Sequence, residues 1–120
     1  MQAIILAAGM GKRLGELTRG NTKCMIEVGG ETLISRLLHQ LDQLRLQRII
    51  LVVGYKAKEL REYLLNIHIQ TAIEYVENTI YDKTNNIYSL YLAKDYLTKD
   101  DTLLFESDII MEDSLIQKLI

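Results

Sequence analysis

The sequence predicts an α/β domain built on a mainly parallel sheet with right-handed crossovers. Three observations carry this prediction. Short apolar runs alternate with amphipathic stretches along the whole chain. One run, Ile49-Ile50-Leu51-Val52-Val53, is apolar at every position, which suggests a central strand buried on both faces. Three runs also end in chemically loaded residues: a glycine-rich loop, Gly54-Tyr55, and Glu106-Ser107-Asp108. Folds of this class bind ligands beyond the carboxyl ends of their strands.

The elements follow in order. Residues 2–6 form an apolar run that reads as a buried strand. Residues 24–28 read as a second extended piece, closed by Gly29-Gly30. Leu33, Ile34, Leu37, Leu38, Leu41 and Leu44 repeat at helical spacing and predict a helix over 32–44. The run at 49–53 is the central strand and stops at Gly54. Residues 56–66 predict a helix with Leu60, Tyr63 and Leu64 on one face, and 71–76 a strand. Thr84-Asn85-Asn86 offers helix N-cap chemistry. Ile87, Leu90, Tyr91, Tyr96 and Leu97 then follow at helical spacing, which predicts that Tyr88, Tyr91 and Tyr96 pack rather than form an aromatic cage. Residues 102–105 read as another buried strand, and 112–120 as a last helix.

Composition bounds the function. The chain has 120 residues, 48% hydrophobic and 25% charged, which suits one domain with one core. No apolar run approaches the roughly 18 residues a membrane span needs. The first residues lack the pattern of a signal peptide, so a cytoplasmic location is expected. The single cysteine, Cys24, is expected to be a buried thiol. A formal net charge of −2 argues against a general nucleic-acid surface. The distribution is more telling than the total. Residues 1–23 carry Lys12, Arg13, Arg19 and Lys23 against Glu16, while the rest of the chain is net acidic.

That positive charge coincides with four glycines in LAAGMGKRLGELTRGNTK, residues 6–23. A glycine-rich turn after a strand lets bare backbone N–H groups cradle a phosphate. A Walker A loop fails here, because Gly11-Lys12 is followed by Arg13 and position 6 is leucine. A dinucleotide fingerprint fails too: Leu14 stands where the third glycine belongs, and the central strand ends without a ribose-binding acid. A third arrangement places cations within the loop. Lys12, Arg13 and Lys23 would neutralise a triphosphate, and Asp108 would hold Mg²⁺, which favours one or two carboxylates plus phosphate oxygens.

LAAGMGKRL, followed by LT and NTK, resembles the L-A-A-G-x-G-x-R-L … P-K signature of the nucleotidyltransferases that activate sugar phosphates and related phosphate esters. VVGY and the strand ending in ESD resemble later motifs of the same family. YDKTNNIYSLYLAKDYL is most similar to the branch that acts as choline-phosphate and aminoethylphosphonate cytidylyltransferases. The resemblance implies a Rossmann-like, nucleotide-diphospho-sugar transferase-like fold, here truncated. Residues 1–120 would be the N-terminal nucleotide-binding part of a longer transferase domain.

It also implies roles. The backbone of Leu6, Ala7, Ala8 and Gly9 would meet the nucleobase, and Gly11 would let the chain wrap the phosphates. Arg13 would face the β- and γ-phosphates, with Lys12, at a variable position, beside it. Lys23 would bridge the α-phosphate and the acceptor's phosphate, and Asp108 would be the Mg²⁺ ligand, with Glu106 a possible helper. Tyr55, Asn85 and Asn86 would line the base and ribose, or the acceptor pocket. The implied partners are CTP and a small phosphate or phosphonate acceptor, with no nucleic acid and no membrane. An exposed sheet edge would favour self-association. His39 and His68 need no catalytic role, because an acceptor phosphate is already ionised near neutral pH. The alternatives are a hexose-1-phosphate uridylyl- or thymidylyltransferase, and a non-catalytic nucleotide-binding module. The chain departs from the family pattern at Glu16, Thr22 and Thr32, where proline is usual, and at Ser107, where glycine is usual.

Overall fold

The computed structural model describes residues 1–9 and 25–107. The expected helix at 112–120, Cys24 and the departures at Glu16 and Thr22 lie outside them. Strand β1 (Gln2–Ala7) is followed by a hairpin, β2 (Glu27–Val28) and β3 (Glu31–Thr32), and by helix α1 (Leu33–Asp42). Then come β4 (Ile49–Val53), α2 (Ala57–Leu64), β5 (Ile73–Glu77), α3 (Asn86–Leu92), α4 (Lys94–Leu97) and β6 (Thr102–Glu106).

Four strands form one parallel sheet in the order β5-β4-β1-β6. The chain therefore builds outward from β1 through β4 to β5, then crosses to the other side of β1. That reversal puts a topological switch point between β1 and β6. The two central strands are buried along their whole length. Their alternate residues face two cores. Ala3, Ile5 and Ala7 pack with Ile34, Leu37, Leu38, Leu41, Leu60 and Leu64 of α1 and α2. Ile4 and Leu6 pack with Ile50, Val52 and Ala93, and with Leu90 and Tyr96 at the margin, on the α3–α4 side.

Local chemistry explains several boundaries. Gly29 and Gly30 both take positive φ, 65° and 86°, as a two-residue hairpin turn of the primed type requires. Thr32 caps α1: its Oγ1 accepts from the Ser35 amide at 3.2 Å. A capping hydroxyl thus replaces the fixed φ that proline supplies at this place in the family pattern. Asn85 caps α3, its Oδ1 accepting from the amides of Ile87 and Tyr88.

The amino end of the sheet is closed by a polar cluster around Gln2, which is fully buried. Its Nε2 donates to the Tyr96 carbonyl at 2.6 Å and to Thr102 Oγ1 at 2.9 Å, while Arg48 Nη1 donates to its Oε1 at 2.7 Å. Every polar atom of the amide has a partner, so its burial carries no unpaired-group penalty.

Asp42, at the end of α1, accepts from the Gln70 amide and from the Thr71 amide and hydroxyl. Burial alone would raise its pKa. The hydrogen bonds from Thr71 and Gln70, with His39 contributing less, outweigh that and hold it below 3.8. A depressed carboxylate stabilises the fold above its unfolded pKa, and the effect is lost as pH falls through the folded value. Asp42→Ala is therefore expected to cost about 1 kcal/mol at pH 7 after allowance for solvent screening. Denaturation at several pH values should show the gap to wild type closing below pH 3.8. A gap that stays constant there would rule out the charged clamp.

Two expectations need correction. The stretch after Asn85 is not one helix with one buried stripe. It breaks at Ala93, and Ile87 and Tyr91 are 78% and 49% exposed. Tyr91 does not pack in the core; the Lys94 Nζ sits 4.0 Å from its ring centroid. Tyr96 does pack, at the margin of the α3–α4 core. Nor is 102–105 fully buried: Leu104 is 50% exposed, because β6 has β1 as its only strand neighbour among the described residues.

Candidate functional site

Hydrogen bonds tie the carboxyl ends of the four strands together. The Ser107 amide donates to the Leu6 carbonyl at 3.2 Å, joining β6 to β1. The Tyr55 amide donates to the Ala8 carbonyl at 3.2 Å, joining β4 to β1. The Asn78 amide donates to the Val53 carbonyl at 2.7 Å, joining β5 to β4. Leu6, Ala7 and Ala8 are buried and Gly9 is half-buried. The side chains of the first three face inward, so Gly9 is where this segment comes out beside the switch point.

Gly54 is needed for close approach. A Cβ there would lie 2.8 Å from Tyr81 Cβ, 2.9 Å from Ala8 Cβ and 3.0 Å from the Asn78 carbonyl oxygen. Those atoms belong to two separate segments, the end of β1 and the turn after β5, and none is the far end of a flexible side chain. Tyr55 follows directly, its ring 5.8 Å from that of Tyr81 at an angle of 53°. Lys56 holds a left-handed backbone conformation at φ 56°, and its Nζ is 5.9 Å from the Tyr55 ring centroid.

Asn85 and Asn86 do different things. The Asn85 side chain caps α3, as described. Asn86 Nδ2 donates to Glu106 Oε1 at 2.8 Å, bridging the start of α3 to the end of β6. Beside that bridge a groove of about 360 Å³ runs between α3 and β6, lined by Leu6, Asn86, Ile87, Leu90, Leu104 and Glu106 among others. Ser107 is buried, and its Oγ has no hydrogen-bond partner among the described residues.

The structure therefore brings Leu6, Ala7, Ala8, Gly9, Tyr55, Asn85 and Asn86 to one edge of the sheet. Gly11, Lys12, Arg13, Lys23 and Asp108 lie outside the described residues. Among the described residues no group of His, Cys, Asp and Glu could hold a metal, and no helix is long and apolar enough to cross a membrane. His39 is on α1 with its Nδ1 3.1 Å from Glu31 Oε2, a surface pair. Sequence reasoning missed Asn78, Tyr81 and the steric demand on Gly54. The last had one visible signal, a glycine directly after a fully apolar strand.

Known proteins share this architecture. The family model for the MobA-like NTP transferase domain matches residues 3–120. The CTP:phosphoglutamine cytidylyltransferase of Campylobacter jejuni is 35% identical over 125 residues, covering 100% of this chain and 48% of its own length. The 2-aminoethylphosphonate cytidylyltransferase of Lancefieldella rimae is 40% identical over 111 residues, covering 92% and 44%. The solved CTP:phosphocholine cytidylyltransferase of Streptococcus pneumoniae superposes with a TM-score of 0.77 at 33% identity, covering 89% of this chain and 44% of that one. The chain thus spans less than half the length of these relatives. With a Rossmann-like parallel sheet, the sequence motif LAAG at the end of β1 beside the switch point, and a family match over almost every residue, this chain belongs to the MobA-like NTP transferase domain family.

Proposed function

We propose that this chain is the nucleotide-binding part of an enzyme that moves CMP from CTP to a small phosphate or phosphonate acceptor. The observation that carries the reading is the motif LAAGMGKRL, whose first residues, Leu6 to Gly9, lie at the end of β1 beside the switch point. The relatives support CTP in particular. All three are named for cytidylyl transfer, while their acceptors differ. The nucleotide is therefore better supported than any one acceptor.

An acceptor oxygen, already ionised near neutral pH, attacks the α-phosphorus in line. A new P–O bond forms as the bond to the β-phosphate breaks, and pyrophosphate leaves with that electron pair. Such a transfer asks the protein mainly for positioning and charge neutralisation. Arg13 and Lys23 supply the charge, Lys12 adds to it, and Gly9 and Gly11 let the backbone close on the phosphates. Tyr55, Asn85 and Asn86 line the nucleoside side. Oxygen-bearing side chains follow one another at the end of β6: Glu106 and then Ser107, whose hydroxyl has no partner among the described residues, directly precede Asp108 in the sequence. That donor set suits Mg²⁺, which Asp108 would hold and which would add further neutralisation of the phosphates. An enzyme fed by CTP would work in the cytoplasm.

The test is a competition panel of CTP, UTP, dTTP and ATP, followed by an assay of pyrophosphate release. CTP is expected to bind tightest. Release is expected from the longer transferase rather than from these 120 residues alone, and only with CTP, Mg²⁺ and an acceptor such as phosphocholine or 2-aminoethylphosphonate. Preference for UTP or dTTP with a hexose 1-phosphate would replace this reading with the uridylyl- or thymidylyltransferase alternative.

A further inference from the structure

We infer that Asn78 is a positioning residue for the nucleobase, holding the 78–86 turn and its ligand-facing side chains against the end of β4. This rests on the cytidylyltransferase reading above. Asn78 is 1% exposed, and its backbone N–H and both ends of its side-chain amide are hydrogen-bonded. Its amide N–H donates to the Val53 carbonyl at 2.7 Å, which fixes it to the sheet. Its Oδ1 accepts from the Ile80 amide at 3.1 Å, folding the turn back on itself. Its Nδ2 donates to Thr84 Oγ1 at 3.0 Å and to Ser89 Oγ at 3.1 Å, reaching the far side of the turn and the body of α3. One buried residue therefore ties the end of β4 to the start of the turn that carries Tyr81 and, through Thr84 and Ser89, to the start of α3 that carries Asn85-Asn86. Tyr81 is the ring that meets Tyr55, and Tyr55 is bonded through its own amide to Ala8. The turn thus sits next to the backbone segment expected to meet the base.

The chemistry calls for asparagine in particular. The Ile80 N–H is a donor, so the atom facing it must be the amide oxygen, and the nitrogen must face the two hydroxyls. Thr84 Oγ1 already gives its only proton to the Ile80 carbonyl, at 2.9 Å. It has only lone pairs left for position 78, which must therefore supply a donor. Aspartate keeps the shape and the acceptor but has no donor for Thr84.

The experiment titrates the full 120-residue chain with CTP, UTP and tripolyphosphate by calorimetry, in wild type, Asn78→Asp and Thr84→Val. Asn78→Asp is expected to weaken CTP about tenfold and shrink its advantage over UTP, with tripolyphosphate binding unchanged, because the phosphates belong to the glycine loop. Thr84→Val removes only the peripheral hydroxyl and should act in the same direction by less, which keeps the test open if Asn78→Asp does not fold. Parallel losses for CTP and tripolyphosphate would reveal general loosening and overturn the inference, as would an unchanged CTP to UTP ratio. A wild-type chain that binds tripolyphosphate with no preference for CTP over UTP would instead sink the cytidylyltransferase reading, and this inference with it.

Discussion

Gly54→Ala is expected to destabilise the protein by about 3 kcal/mol, the upper end of what overpacking usually costs. The added methyl would meet Tyr81 Cβ at 2.8 Å, Ala8 Cβ at 2.9 Å and the Asn78 carbonyl oxygen at 3.0 Å. A side-chain tip could rotate away from such a contact. Two Cβ atoms and a backbone oxygen move only if their backbones do. Those backbones are pinned: Asn78 by its bond to Val53, and Ala8 by its bond to Tyr55. Against a typical domain stability of about 5–15 kcal/mol, such a loss is large. Denaturant titration should show a lower midpoint at an unchanged slope. Adding Ala8→Gly should restore part of the loss, because it removes one of the three opposing atoms. An unaltered midpoint in Gly54→Ala would mean that these segments are not in close contact.

The second large effect concerns charge. Arg13→Ala and Lys23→Ala are each expected to weaken CTP binding about ten- to a hundredfold, the worth of a lost hydrogen bond to a charged group. The effect should shrink as salt is raised, since screened phosphates gain less from any one cation. Arg19 lies in the same basic stretch but matches no position of the family signature. Arg19→Ala is therefore the control and should leave affinity nearly unchanged. If it weakens CTP as much as Arg13→Ala does, the stretch acts as a diffuse basic patch and the residue assignments fail.

Features set by neighbours along the chain were legible in the sequence. β4 was readable because a run with no polar side chain is what burial on both faces favours, and Ile49–Val53 carries none. α1 was readable from its leucine spacing, and the start of α3 from Asn85. What the sequence hid depends on what each element meets in space. Leu104 and Ile87 are as apolar as any core residue, and only the sheet order shows that they lie near an edge. The break at Ala93 has no glycine or proline to announce it. Asn78 and Tyr81 act through contacts to Val53 at the end of β4 and to Tyr55 after it, and no local period reports such contacts. For the candidate site, the motif located the edge of the sheet. The packing of that edge came from the fold.

The tyrosine pair has an optical consequence. The chain has seven tyrosines and no tryptophan, so its near-ultraviolet signal is essentially that of phenol rings. Two of those rings, Tyr55 and Tyr81, stand 5.8 Å apart and tilted by 53°, close enough for their transitions to couple. A nucleotide seated at this edge would change that coupling. The unlabelled protein therefore carries its own chromophore for following this edge by circular dichroism, once the absorption of the cytosine base in the same band is subtracted, without a dye, a radiolabel or a coupled enzyme.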